Sequence, residues 1–175
     1  MNDNQIVTTR NRIIELLNQL TGGPTLEWYE DTIQQIRSLD QDLTRKILRE
    51  LLTNSDKKLR MYAGEVLLRI APALELMSIL ELLKDLDADI RYNTTRLLAN
   101  YPDERACEEL IRVLLNDPDP DVRSNAVIAL RNIGNDKAVK VIEWASANDF
   151  GTDFQGETIS TVAKRAIVDI KQRRV

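Results

Sequence analysis

Three acid–guanidinium pairs recur at one spacing and are the first candidates for chemistry: Asp56 with Arg60, Asp87 with Arg91, and Asp119 with Arg123. Each lies in a string Asp-x-x-apolar-Arg. Paired charges of this kind could be catalytic. The repetition points elsewhere. A catalytic constellation is assembled once, whereas pairs whose arginines stand 31 and then 32 residues apart belong to a repeated structural unit. An arginine in the first turns of a helix is opposed by the helix dipole and calls for a compensating partner. A carboxylate from an adjacent repeat would serve and would staple the two units together.

Little else in the chain could carry catalysis. It has no histidine, which removes the usual neutral-pH acid/base and the commonest metal ligand together. Its single cysteine, Cys107, falls on the apolar face of an expected helix and can form no intramolecular disulfide. Asp149-Phe150-Gly151 has the lettering of a kinase metal-binding string, but the Gly-rich loop, lysine strand and catalytic loop that must accompany it are absent. No catalytic residue, metal ligand or cofactor is therefore assigned. Lys164, Arg165, Lys171, Arg173 and Arg174 could make a small anion or nucleic-acid patch, yet cations near a helix C-terminus are favoured by its dipole anyway. A net charge of −4 and a pI near 5.0 argue against nucleic acid as a partner.

The element that positions all of these residues is a helical hairpin, and residues 116–143 contain a complete one. Asp119 stands where an N-cap belongs, with Pro120 at the first helical position. Val122, Ala126, Ala129, Leu130 and Ile133 follow at spacings of three and four and make one helical face. Gly134 stops the helix, Asn135 or Asp136 caps the next, and Ala138, Val139, Ile142 and Ala145 form its stripe. Upstream copies keep the same columns: Ala63, Thr94 and Ala126 are small, Leu67, Leu98 and Leu130 are large, and Ile70, Tyr101 and Ile133 close the helix. Such a hairpin cannot bury its stripes alone, so its neighbours must stack on it.

The expected fold is thus all-α, a right-handed α-α superhelix of about four hairpins in a single domain over residues 1–175. Residues 3–20 form an N-terminal capping helix that Thr21-Gly22-Gly23-Pro24 ends. Repeats follow at 25–53, 56–84, 87–116 and 119–148; the first is degenerate, with Trp28, Ile36 and Leu39 in core columns. Residues 149–157 interrupt the period as an insertion loop. Residues 158–173 resume it as a C-terminal capping helix, with Ile159, Ala163, Ala166, Ile167 and Ile170 in the buried columns.

Removing the buried columns of the second helices leaves an outward ladder of i, i+4 pairs: Arg45 and Arg49, Met77 and Glu81, Glu108 and Arg112, Lys140 and Trp144. One row of helices in stacked hairpins forms the concave wall, so this ladder is the expected surface for another protein. Trp144 is either an anchor for that partner or is covered by the neighbouring loop or the terminal helix. The loop, with Phe150 and Phe154, is a second candidate, since loops are where function is added to a rigid scaffold. Alternatively its aromatic pair plugs the end of the core.

The string Asp119-Pro120-Asp121-Val122-Arg123 and the stripe Ala126, Ala129, Leu130 resemble the short HEAT-type repeat of the phycobilisome-lyase-like family, over roughly residues 55–148. That resemblance implies an α-solenoid, and a repeat of this kind serves many unrelated functions. Relatives attach, remove or rearrange tetrapyrrole chromophores on antenna proteins, often as two-chain assemblies. A lyase-like subunit or antenna-protein chaperone is therefore the alternative to a non-catalytic protein-binding scaffold, and the resemblance carries no site residue with it. Helical-repeat DNA glycosylases are similar in fold but need a basic groove. The first residues lack the features of a signal peptide and no stretch is long and apolar enough to cross a bilayer, so a cytoplasmic location is expected.

Overall fold

Helix starts in this chain are written in acids and hydroxyls. Thr25, Asp40, Asp56, Asp87, Asp119 and Asn135 each accept a backbone N–H two or three residues ahead and so satisfy a donor that the helix leaves unpaired. Pro72 and Pro120 occupy first helical positions, where a missing N–H costs nothing. Gly134, at φ 65°, ends its helix in the left-handed conformation that glycine adopts most readily.

The computed structural model describes residues 3–20 and 25–173. The expected stop at Thr21–Pro24 and the cation Arg174 lie outside the described residues. Among the described residues there are ten α-helices, two short 3-10 turns and one isolated bridge between Thr152 and Thr158, with no strand. They fall into two compact units, residues 1–82 and 83–175.

The first unit contains α1 (Asp3–Leu20), α2 (Leu26–Arg37), α3 (Gln41–Leu51), α4 (Lys57–Ile70) and α5 (Pro72–Leu80). Helix α1 packs on α2, α3 and α4 through Ile13, Leu16, Leu17 and Leu20, with α3 against α4 and α4 against α5. The degenerate first repeat buries Ile33 and Ile36, while Trp28 and Leu39, expected in core columns, are only half-buried. Gly64 of α4 is a point of close approach, because a Cβ there would come within 2.6 Å of Leu82 Cδ1.

The second unit contains α6 (Ala88–Asn100), α7 (Cys107–Asn116), α8 (Pro120–Ile133), α9 (Asp136–Asn148) and α10 (Ile159–Arg173). First helices α6, α8 and α10 pack side by side, and second helices α7 and α9 lie against them and each other. Ala126, Ala129, Ala138, Ala145, Ala163 and Ala166 are all buried, and their small side chains let the helices approach closely. Helix α10 departs from the pattern where α8 faces a following repeat: the exposed Lys164 stands in the column of the buried Val127.

Candidate protein-binding surfaces

The repeated arginines hold neighbouring hairpins together. Arg91 forks onto Asp117, donating from Nε to Oδ2 at 2.7 Å and from Nη2 to Oδ1 at 3.0 Å. Its Nη1 donates to the carbonyls of Asp85 and Leu86 at 2.9 and 3.3 Å. Arg123 repeats the arrangement on Asp149, at the same 2.7 and 3.0 Å, and on the carbonyls of Asp117 and Pro118. Arg60 likewise donates to the carbonyls of Asn54 and Ser55. At Arg91 and Arg123 the bonds hold the guanidinium protons more tightly than an isolated arginine does, with the carboxylate hydrogen bond the leading cause.

The stapling carboxylates are not the acids of the Asp-x-x-apolar-Arg string. Asp56, Asp87 and Asp119 cap their own helices, and the arginine partners Asp117 and Asp149 stand one repeat further on. The signal was present as a second column, Asn54, Asp85, Asp117 and Asp149, which closes each inter-repeat turn by accepting the N–H two residues ahead. Asp149, which opens the insertion loop in the sequence reading, thus belongs to the repeat.

On the outward side of the second helices in the first unit, Arg45 and Arg49 flank Glu75, which is only 2% exposed. Their Nε atoms lie 3.6 and 3.7 Å from its carboxylate, and Arg45 also bonds Asp42 at 2.5 Å. A buried carboxylate is costly unless compensated, so the two arginines are held in place by the acid beneath them. The sequence reading missed Glu75, although it stands in a column otherwise filled by the buried Leu43, Ala106 and Ala138. Met77 and Glu81 are exposed nearby in sequence on α5 and the following 3-10 turn, as is Leu74.

In the second unit, Glu108 pairs with Lys137, and Arg112 with Glu109 at 2.7 Å. Lys140 and Trp144 project from α9, and Trp144 is 47% exposed. It is covered neither by the loop nor by α10 to the degree a core residue would be. Cys107 is buried behind this face; burial pushes its thiol pKa up, which makes it a poor nucleophile at neutral pH.

Phe150 and Phe154 do not plug the core: they are 67% and 68% exposed. Phe150 occupies the middle of an inter-repeat turn, in the position of the exposed Leu86 and Pro118. Phe154 stands edge-on to Tyr92 of α6, with ring centroids 6.3 Å apart and planes at 77°. It therefore belongs with the first helices, whereas Trp144 belongs with the second.

Among the described residues, no group of three or more potential ligands is placed to hold a metal ion, and no helix is long and apolar enough to cross a membrane. Residues 76–161 match the HEAT repeats family. No curated protein matches the chain. Among solved structures it is similar to an engineered protein of the Northeast Structural Genomics Consortium, at 22% identity and a TM-score of 0.55, covering 91% of this chain and 79% of that one. A second engineered protein of that consortium is similar at 23% identity and a TM-score of 0.54, with 91% and 47% covered. A designed armadillo repeat protein in complex with the peptide (KR)4 is similar at 16% identity and a TM-score of 0.53, with 95% of both chains covered. Together these define the fold as an all-α solenoid of HEAT and armadillo kind.

Proposed function

We propose that the chain is a non-catalytic scaffold that binds another protein through the outward faces of its second helices and through the Phe150–Phe154 loop. The second-helix faces offer Arg45, Arg49, Met77 and Glu81 in the first unit and Glu108, Arg112, Lys140 and Trp144 in the second. The observation that carries this reading is Trp144. Helix α9 already completes its buried stripe with Ala138, Val141, Ile142 and Ala145, so a half-exposed tryptophan adds nothing that the core requires. Exposed tryptophan and arginine on a rigid support are the residues that most often carry the energy of a protein interface. Within the second unit the forks of Arg91 on Asp117 and of Arg123 on Asp149 tie neighbouring hairpins together. The armadillo relative, a protein of the same fold class in complex with a peptide, is consistent with such a role. The tetrapyrrole alternative rests on the repeat motif alone, and none of these residues is assigned to it.

The test is affinity capture from source cells with the wild-type chain and with Trp144→Ala/Arg112→Ala, followed by mass spectrometry. A partner retained by the wild type and lost by the variant supports the surface. Identical partner sets sink it, provided circular dichroism shows the variant folded.

A further inference from the structure

The loop after α9 holds itself shut with nearly every polar group it has. The Asp153 carboxylate, almost wholly buried, accepts the Ser124 hydroxyl at 2.9 Å and the N–H groups of Gln155 and Glu157 at 3.0 and 3.1 Å. Its own N–H donates to the carbonyl of Glu157 at 2.9 Å, and the Phe154 N–H donates to Asp121 Oδ1 at 2.6 Å. Gly156 turns the chain at φ 81°. All this constraint presents the Phe154 ring to solvent. A fixed aromatic loses little further freedom when it is covered, which is the property of a binding anchor.

Two clefts meet at that ring. One, of about 590 Å³, runs along Pro118, Pro120 and Thr152; the other, of about 90 Å³, runs along Ser124, Asn125 and Ile128. Asp121 and Asp153 line both, and Asp119 lines the larger. The cations nearby are already matched: Arg91 by Asp117, Arg123 by Asp149 and Arg165 by Glu157. Among the described residues, Asp119, Asp121 and Asp153 form no ion pair. The positive end of the α8 dipole does not reverse this sign, because Asp119 caps it and Asp121 sits in its first turn. The surroundings of Phe154 therefore attract cations and repel anions.

We infer that Phe154, Tyr92 and the carboxylates of Asp119 and Asp121 form a docking site for a basic segment of a partner protein in which Lys or Arg alternates with apolar side chains. An apolar side chain of the segment covers Phe154 and Tyr92, and a neighbouring ammonium or guanidinium reaches Asp119 and Asp121 or lies over an exposed ring. This inference rests on the reading of the chain as a protein-binding scaffold, and it places a second surface on the first-helix row.

The test uses the full chain and three fluorescent peptides: alternating lysine and leucine, alternating glutamate and leucine, and alternating lysine and serine. Anisotropy should show the lysine–leucine peptide binding best, with affinity falling as salt is raised. Phe154→Ala should weaken it by about fivefold or more, the scale of an interface anchor. Asp121→Asn, which keeps an acceptor for the Phe154 N–H and removes the charge, should weaken it comparably, and Trp144→Ala should leave it unchanged. No binding, a preference for the glutamate peptide, or indifference to Phe154→Ala and Asp121→Asn overturns the inference. So does self-association of the chain that Phe154→Ala abolishes without any peptide binding, which would make a second copy the occupant. Loss of peptide binding in Trp144→Ala alone would overturn it while leaving the second-helix surface standing. Intact peptide binding beside unchanged partner capture by Trp144→Ala/Arg112→Ala would do the reverse.

Discussion

At Tyr29 burial and an acidic neighbour act in the same direction. The hydroxyl donates to Glu65 at 2.5 Å, while Arg69 lies 4.7 Å over the ring and pairs with Glu30 at 3.0 Å. Burial first, and then the Glu65 carboxylate, raise the pKa of this phenol well above its ordinary value. The folded chain thus holds the proton to a higher pH than the unfolded chain does. The stability this contributes is complete below about pH 10, the ordinary phenol value, and is lost as pH rises beyond it. Tyr62 is shifted the same way by burial and Glu65. Thermal melts should therefore fall steeply on the alkaline side, and Tyr29→Phe should make that fall shallower while costing about 1 kcal/mol at neutral pH for the lost hydrogen bond. An unchanged alkaline slope in Tyr29→Phe would show that the coupling to Glu65 is not felt.

Between elements, the decisive contact is the arginine fork. Arg91 reaches across 26 residues of sequence to Asp117, and both side chains are largely buried, at 11% and 5% exposure. Four hydrogen bonds end on this one guanidinium, two on the carboxylate and two on the preceding turn. Removing it strands a buried acid, which costs far more than losing a surface pair. Arg91→Met should lower unfolding free energy by about 2–4 kcal/mol in urea titrations. Arg91→Met/Asp117→Asn should cost clearly less than the sum of the two single changes, because the second removes the stranded charge. Additive costs would mean that the fork contributes no coupling.

Across the whole molecule, 28 acids oppose 24 cations. Arg165 of the C-terminal cation cluster is already paired with Glu157. Neutralising DNA phosphates requires a row of free cations. Duplex DNA should accordingly show no anisotropy change with this protein at about 0.15 M salt, near-physiological screening. Binding under those conditions would reopen the helical-repeat DNA-binding reading.

Most of what could be read in advance about this chain was local. Asp119, Pro120 and Gly134 announce the start and stop of α8 because capping acts within about four residues along the backbone. The recurring small and large columns announce stacked hairpins, because a 3.6-residue period with a 32-residue repeat leaves few other ways to bury two stripes. Contacts between elements were less legible. Trp28, Ile36 and Leu39 matched core columns by spacing, yet of the three only Ile36 is buried, together with Ile33. Glu75 is hidden in a column shared with Leu43, Ala106 and Ala138, and the acid that receives Arg91 or Arg123 is the one that stacking brings across, not the one four residues away. Phe154 is the sharpest case. Its side chain could equally have filled a core, and it is exposed because Asp153 and Asp121 on separate elements lock the loop's backbone in the one arrangement that turns the ring outward. Periodicity and capping are properties of a few consecutive residues, whereas the partner of a charge and the exposure of a ring depend on how hairpins lie against each other.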